Sequence, residues 1–524
     1  MVRSILPDVE IPDLSVYDFL FGDLDEDRLD ATALIDGTSG AETSYRTLVG
    51  QIQLFAGALA ARGVGVGTRV GVLCPNTPAF ATVFHGILRA GATATTINSL
   101  YTPDEIANQL ADAEAEWLIT VSPLLAGARA AAEKVGIDAD HLIVLDGAEG
   151  HPSLAALLEE GHPAPDVSVD PSEHLAVLPY SSGTTGRPKG VMLTHRNLVA
   201  NVSQCRSTIS LADDDRVLAV LPFFHIYGMT VLLNFALRQR AALVTMPRFD
   251  LADFLRVVSE HRTTWVFIAP PIAVALAKHP LVDEHDLSSV KVVFSGAAPL
   301  DGSLAAAVAG RLGCTVCQGY GMTETSPVTH AIPYDRDDID RASVGLLLSG
   351  TEARLRDPET GADLEAPAGG TSEPGELLIR GPQVMKGYLN RPDATAEMLD
   401  DDGWLHTGDV GTVSTEGVFR IVDRLKELIK YKGYQVAPAV LEAVLLDHPA
   451  IADAAVIGAP DDDGQEVPKA FVVVQAGADL DAAGVMAHVA ERVAPHEKVR
   501  QVEFIDAIPT STSGKILRKD LRAR

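Results

Sequence analysis

Basic residues are scarce in this chain. Its 524 residues hold 42 lysines and arginines against 71 aspartates and glutamates, a net charge of −29. A surface of that sign repels phosphate backbones and anionic lipid, so general binding to nucleic acid or an anionic membrane is not expected. Cysteine is scarce too: Cys74, Cys205, Cys314 and Cys317. Only Cys314-x-x-Cys317 is a close pair. Without a second pair a zinc site is not expected, and a redox role lacks the usual βαβ context. The two read as small buried residues on a strand leading to Gln318. No basic segment followed by an apolar core opens the sequence, so no signal peptide is visible. No uncharged apolar run approaches the length of a membrane span. The expected location is cytoplasmic. No repeat of fixed period occurs.

The apolar fraction is 47% and the charged fraction 22%, ordinary for a folded chain long enough for two or more domains. An anionic ligand would need local positive charge here, so basic residues inside motifs carry weight. The densest polar stretch is Tyr180-Ser181-Ser182-Gly183-Thr184-Thr185-Gly186-Arg187-Pro188-Lys189-Gly190. It lies between the apolar runs 175–178 and 191–193, both strand-like. A helix pattern then starts at Thr194, a plausible N-cap, with Leu198, Val202 and Cys205 on one face. Glycines allow close approach of a ligand; backbone N–H groups, hydroxyls and one ammonium make a cradle for polyphosphate. The common P-loop is ruled out, because Lys189 follows a proline and a strand comes next. A flexible polar turn is the plainer reading.

Strand-like runs at 32–35, 70–73, 92–97, 117–121, 142–145, 217–221, 242–246, 264–268 and 290–294 alternate with helix patterns such as 45–62 and 79–90. That rhythm predicts α/β architecture with largely parallel sheets. Phe223-Phe224-His225-Ile226-Tyr227-Gly228 follows a strand end, where α/β sites collect. Ser295-Gly296-Ala297-Ala298-Pro299 is a small-residue turn. Gln318-Gly319-Tyr320-Gly321-Met322-Thr323-Glu324 offers bare backbone beside an aromatic ring, suited to a flat base. Glu324 either ligates Mg²⁺ or faces solvent. Residues 357–375 read as a surface loop, with 376–379 resuming the sheet. In His406-Thr407-Gly408-Asp409 the aspartate either accepts two ribose hydroxyls or caps a turn. Arg424-Leu425-Lys426-Glu427-Leu428-Ile429-Lys430-Tyr431-Lys432-Gly433-Tyr434-Gln435 is the most basic stretch, and a domain boundary is placed here. The expected domains are 1–424 and 425–524, the second with its own helices from 438 and 482 and strands at 454–457, 470–474 and 502–505. Lys515 sits in a second Ser/Thr/Gly loop and, alone, reads as a tail lysine.

The joint occurrence of these segments, in this order, resembles the adenylate-forming superfamily of acyl-CoA synthetases, luciferases and adenylation domains. The resemblance spans essentially the whole chain. It is nearest to the 4-coumarate–CoA ligase and medium- or long-chain acyl-CoA ligase branch. It implies a large N-terminal α/β domain of several subdomains and a small mobile C-terminal α+β domain. It also implies two steps: a carboxylic acid attacks ATP to give acyl-AMP, then a CoA thiol displaces AMP. By resemblance Ser181, Ser182, Gly183, Thr184, Thr185, Gly186 and Lys189 hold the β- and γ-phosphates. Thr184 and Glu324 would bind Mg²⁺. Gln318, Gly319, Tyr320, Gly321 and Thr323 would line the AMP site, with Gly296 and Ala297 beside them, and Asp409 and Arg424 would hold the ribose. Lys515 would bridge the acyl carboxylate and the α-phosphate. Lys426 matches a hinge. After rotation Lys430 and Gln435 would replace Lys515, with Lys432, Gly433 and Arg248 near CoA. His225, Tyr227, Val231, Gly296 and Gly319 would line or gate the acyl site. The plant coumarate ligases usually carry cysteine at the position of Leu378. An acyl-AMP ligase that loads a carrier protein, a luciferase-type oxidation and an inactive nucleotide-binding relative are the alternatives.

Lys515→Ala is expected to abolish pyrophosphate release while preformed acyl-AMP still reacts with CoA. Lys430→Ala is expected to do the reverse. Assaying the two half-reactions separately checks this, and loss of the same half in both variants refutes the two-lysine scheme.

Overall fold

Strand and helix alternate through residues 32–321 of the computed structural model, as the apolar runs predict. The structure describes residues 1–181, 188–431, 434–461, 466–475, 477–511 and 514–524, with Gln435 described by its backbone. Ser182, Gly183, Thr184, Thr185, Gly186, Lys432, Gly433 and the side chain of Gln435 therefore lie outside what is described.

Two sheets carry the large part. In the first, Thr32–Asp36, Ala242–Thr245, Arg216–Ala219, Trp265–Ile268, Val292–Ser295 and Thr315–Gly321 run parallel in that spatial order. In the second, Leu142–Val144, Trp117–Thr120, Arg69–Leu73, Thr93–Thr96 and Leu175–Val177 are parallel. Parallel strands need covered faces, and these are accordingly continuous apolar runs rather than alternating ones. The helices Tyr45–Ala60 and Pro78–Arg89 bury Phe55, Phe80 and Phe84 completely.

The expectation of largely parallel sheets holds only for these flanks. From Val328 the first sheet continues antiparallel through Val328–Ala331, Gly345–Leu347, Val418–Arg424, Leu405–Val413, Gly375–Arg380 and Glu352–Arg356. The connections between these strands return the chain in the opposite sense, and even the one that carries the helix Pro392–Met398 leaves Gly375–Arg380 and Leu405–Val413 antiparallel. The segment 357–375 is more than a loop: Asp363–Leu364 folds back onto Glu352–Arg356. In the second sheet Lys189–Thr194 pairs antiparallel with Leu175–Val177 and Tyr180–Ser181. Thr194 then caps the helix His195–Cys205, bonding Asn197 N at 3.2 Å while Asn197 Oδ1 accepts from Thr194 N at 2.9 Å. Such a cap contributes about 1 kcal/mol. Leu198, Val202 and Cys205 are buried on one face, as their spacing predicts. Cys317 is buried on Thr315–Gly321 and Cys314 precedes it. No helix among the described residues is long and apolar enough to cross a membrane.

A separate core gathers Ile429, Val436, Leu441, Leu445, Val456, Val472 and Val489 near the end of the chain. Here Pro438–Leu446 and Ala482–Ala490 pack with Ile451–Pro460, Glu466–Val474 and Gln501–Phe504. This unit sits against the large part. Lys278 Nζ donates to Leu446 O at 3.3 Å and Ile451 O at 3.4 Å, and Ser303 Oγ donates to Asp447 Oδ1 at 2.6 Å. A large mixed α/β region with a small α+β unit is the fold the motifs predicted.

Within the small unit Arg518 Nη2 donates to both oxygens of the buried Glu442 carboxylate, at 2.6 and 2.8 Å, and Val456 N donates to Oε1 at 2.8 Å. Burial pushes the Glu442 pKa up, against the pull of the Arg518 guanidinium. Glu442→Ala strands that guanidinium in the interior, which typically costs about 3–5 kcal/mol. Amide hydrogen exchange of the full chain checks this: the strands of residues 451–474 should lose protection while those of residues 69–73 keep theirs.

Candidate active site

The site is built at the carboxyl ends of parallel strands, where connections diverge and leave a crevice. After Arg216–Ala219 the chain must turn sharply, and the buried Asn76 holds that turn. Its Nδ2 donates to Ala219 O at 3.1 Å and Leu221 O at 2.7 Å, and its Oδ1 accepts from Phe223 N at 2.7 Å. Thr96 Oγ1 donates to Phe224 O at 2.7 Å. The two sheets thus grip the segment that presents His225. Burial, and then the Lys515 ammonium, push the His225 pKa down to about 4. His225 is therefore neutral at physiological pH.

A cleft of about 640 Å³ opens beside it. Ser181, Lys189, His225, Ala297, Gly321, Thr323, Glu324, Arg424, Lys426 and Lys515 of the expected site all line it. Asp409 lies one layer in. It sits within the strand Leu405–Val413 rather than after a free turn, directly opposite Arg424 in the antiparallel register. Arg424 Nε lies 3.2 Å from Asp409 Oδ1, and the Tyr320 hydroxyl donates to Oδ2 at 2.5 Å. Burial, then the Asp409 carboxylate, holds the Tyr320 phenol well above its ordinary pKa. It stays a donor.

Glu324 is buried at 5% exposure, not solvent-facing. The Tyr388 hydroxyl donates to its Oε1 at 2.7 Å. Among the described residues no three His, Cys, Asp or Glu side chains converge as a metal cage. A single carboxylate in a cleft suits a hard cation that takes its other oxygens from phosphate and water.

Lys515 comes from the far end of the chain. Its loop is closed by Ser511 N to Lys515 O at 2.8 Å and Lys515 N to Ser511 Oγ at 3.1 Å. Gly514 has φ +80°, and a Cβ there would stand 2.9 Å from the Ala269 Cβ. Glycine lets this loop dock against the large part. Burial, then Arg424, lowers the Lys515 pKa to about 8, with Asp409, Glu324 and Glu427 pulling the other way.

Other expected residues fall elsewhere. Lys430 is exposed on the hairpin Ile429–Tyr431, outside the cleft lining, as is Arg248. The Gln318 side chain is buried away from the cleft: its amide bonds Leu300 N at 3.1 Å, Leu300 O at 2.9 Å and Arg341 O at 2.6 Å, and so braces the turn that carries Ala297. Tyr227 is buried, its hydroxyl 3.4 Å from Phe294 O. A Cβ at Gly296 would lie 2.8 Å from the Tyr227 ring, so only glycine admits the ring there. Val231 is buried in the π-helical turn Gly228–Asn234. Gly319 is half-buried, with a Cβ position 2.9 Å from His330 O. Residues that motif reading missed include Tyr101, Gln109, Met398 and the pair Glu376–His406, 3.4 Å apart, all lining the cleft. Tyr388 belongs with them.

Residues 24–389 match the AMP-binding enzyme family, and residues 440–515 match the AMP-binding enzyme C-terminal domain. The chain belongs to the AMP-binding enzyme family. Within the adenylate-forming superfamily it lies near the 4-coumarate–CoA ligases. It is 43% identical over 534 residues to 4-coumarate–CoA ligase 5 of Oryza sativa subsp. japonica, covering 100% of this chain and 97% of that one. The ATP-bound MatB of Rhodopseudomonas palustris superposes with a TM-score of 0.87 at 31% identity, covering 97% of this chain and 98% of that one. The anthranilate CoA ligase AuaEII, solved with anthranoyl-AMP, gives 0.88 at 28% identity, covering 100% and 98%.

The lowered pKa makes Lys515 more reactive near neutral pH than an ordinary lysine. Competitive acetylation of the free protein should give Lys515 a midpoint near pH 8, well below the ordinary lysine value. Arg424→Gln removes one positive neighbour and should move the midpoint up. A midpoint at the ordinary lysine value would contradict the geometry.

Proposed function

We propose that this protein activates an aromatic carboxylic acid with ATP and Mg²⁺ and transfers the acyl group to coenzyme A. The observation that carries the reading is the convergence of Lys515 on one cleft with Lys189, Glu324 and the Asp409–Arg424 pair. These are the charges needed where a carboxylate meets a triphosphate. In the first step the acid's oxygen attacks the α-phosphorus, the bond to the bridging oxygen breaks, and pyrophosphate leaves. Lys515 neutralises both anions as they approach, and such preorganised charge is the main lever on a phosphoryl transition state. Lys189 faces the phosphates beyond. Tyr320, Asp409 and Arg424 hold the nucleoside. Glu324 and Thr184 would hold Mg²⁺, which would supply charge neutralisation to the phosphates.

In the second step the thiol sulfur attacks the acyl carbon and AMP leaves with the carboxyl oxygen. We place a mobile domain at 425–524, turning at Lys426, with Lys430 and Gln435 replacing Lys515 and with Lys432, Gly433 and Arg248 toward CoA. The outward position of Lys430, with Lys515 inside, is the arrangement the first step requires. The acyl group lies beside His225, Tyr227, Val231 and Gly296. A neutral His225 next to apolar walls suits an aromatic acyl group, as do relatives named for 4-coumarate and anthranilate.

A panel of cinnamates, benzoates and fatty acids with ATP, Mg²⁺ and CoA tests this. Pyrophosphate and a thioester are expected with 4-coumarate or a related arylpropenoic acid. Thioester from fatty acids alone overturns the aromatic assignment. Acid-dependent pyrophosphate without thioester overturns CoA as acceptor and favours a carrier protein. No pyrophosphate with any acid overturns the enzymatic reading.

A further inference from the structure

Tyr388 is buried at 4% exposure at the floor of the cleft, in a segment with no nucleotide-binding signature. Glu324 and Lys189 meet on it. Its hydroxyl donates to Glu324 Oε1 at 2.7 Å, and Ser181 lines the same cleft. The Lys189 ammonium stands 4.6 Å from its ring centroid, over the face. A cation there is held by the ring's negative face, most strongly where water is excluded.

The backbone fixes the ring. Gly387–Tyr388 pairs antiparallel with Val191 and Met192, and Val191, opposite Tyr388, is two residues along the strand from Lys189. Leu389 N donates to Gly190 O at 2.8 Å and Lys386 N to Met192 O at 3.0 Å. Met385 N donates to Glu324 O at 2.8 Å, so the same short segment also grips the backbone of the carboxylate. Tyr388 N donates to Thr395 Oγ1 at 2.9 Å.

We infer that Tyr388 is the positioning residue of the Mg²⁺–polyphosphate subsite, aiming the Glu324 carboxylate with its hydroxyl and the Lys189 ammonium with its ring. One side chain thereby sets the spacing between the metal's carboxylate and the phosphate's lysine. The inference rests on the ATP and Mg²⁺ reading above. The hydroxyl bond to Oε1 fixes the carboxylate plane, and partners of metal ligands commonly govern metal affinity in this way. The ring contact keeps Lys189 from folding back onto Glu324, which would cancel the charge each should offer to the ligand.

Tyr388→Phe removes the hydroxyl and keeps the ring, and Tyr388→Leu removes both. ATP binding to the full chain is measured by calorimetry without acid or CoA, once in EDTA and once along a MgCl₂ titration. Tyr388→Phe should raise the Mg²⁺ concentration for half-maximal tight binding by about tenfold and leave binding in EDTA unchanged. Tyr388→Leu should weaken binding in EDTA as well, because Lys189 loses its seat. A purely structural role would lower the melting temperature of both variants without separating the two titrations, and that result overturns the inference. An unchanged Mg²⁺ midpoint in Tyr388→Phe overturns it too. Failure of the wild-type chain to bind ATP at any Mg²⁺ concentration overturns the reading beneath it.

Discussion

The site depends on holding one ammonium group in a place that does not favour it. Lys515 is taken from water into a cleft beside Arg424, and both effects work against its charge. Asp409, Glu324 and Glu427 oppose them without overcoming them, and the pKa falls to about 8. A lysine so placed is still mostly charged at neutral pH, yet under-compensated. It gains most when further negative charge arrives, which is what a carboxylate and a triphosphate bring.

The rest of the architecture delivers the partners of that ammonium. Strand Thr315–Gly321 is parallel to its neighbour on one side and antiparallel on the other. It carries the chain from the parallel flank into the antiparallel one and leaves Tyr320 and Glu324 at the junction. The antiparallel flank then sets Asp409 opposite Arg424. The second sheet contributes Lys189 and, through Asn76 and Thr96, holds the His225 turn. Lys515 arrives last, on a glycine loop seated against Ala269 and Pro271.

Much of the fold was readable because its strands are buried runs of apolar residues bounded by turns, and its helices carry caps such as Thr194. Chemistry-bearing residues in compact motifs were readable too: Glu324, Asp409, Arg424 and Lys515 come together as their motifs imply. Other features left no local trace. The π-helical turn Gly228–Asn234 is buried on all sides, so no amphipathic period marks it. Gln318 stands in a motif yet turns its amide to Leu300 and Arg341. Asn76 belongs to no motif, although its three bonds support the His225 segment. Tyr388 sits in a short Gly-Tyr pair whose meaning needs two other segments beside it.

Composition, charge and local order were thus settled along the chain: the α/β rhythm, the small terminal unit, the scarcity of positive charge and the motifs that hold it. These follow from neighbours within a few residues. The direction of the strands after Val328, the burial of Glu324 and the fall in the Lys515 pKa were settled only in three dimensions. They arise from contacts between segments far apart in the chain, and desolvation has no counterpart in a linear sequence.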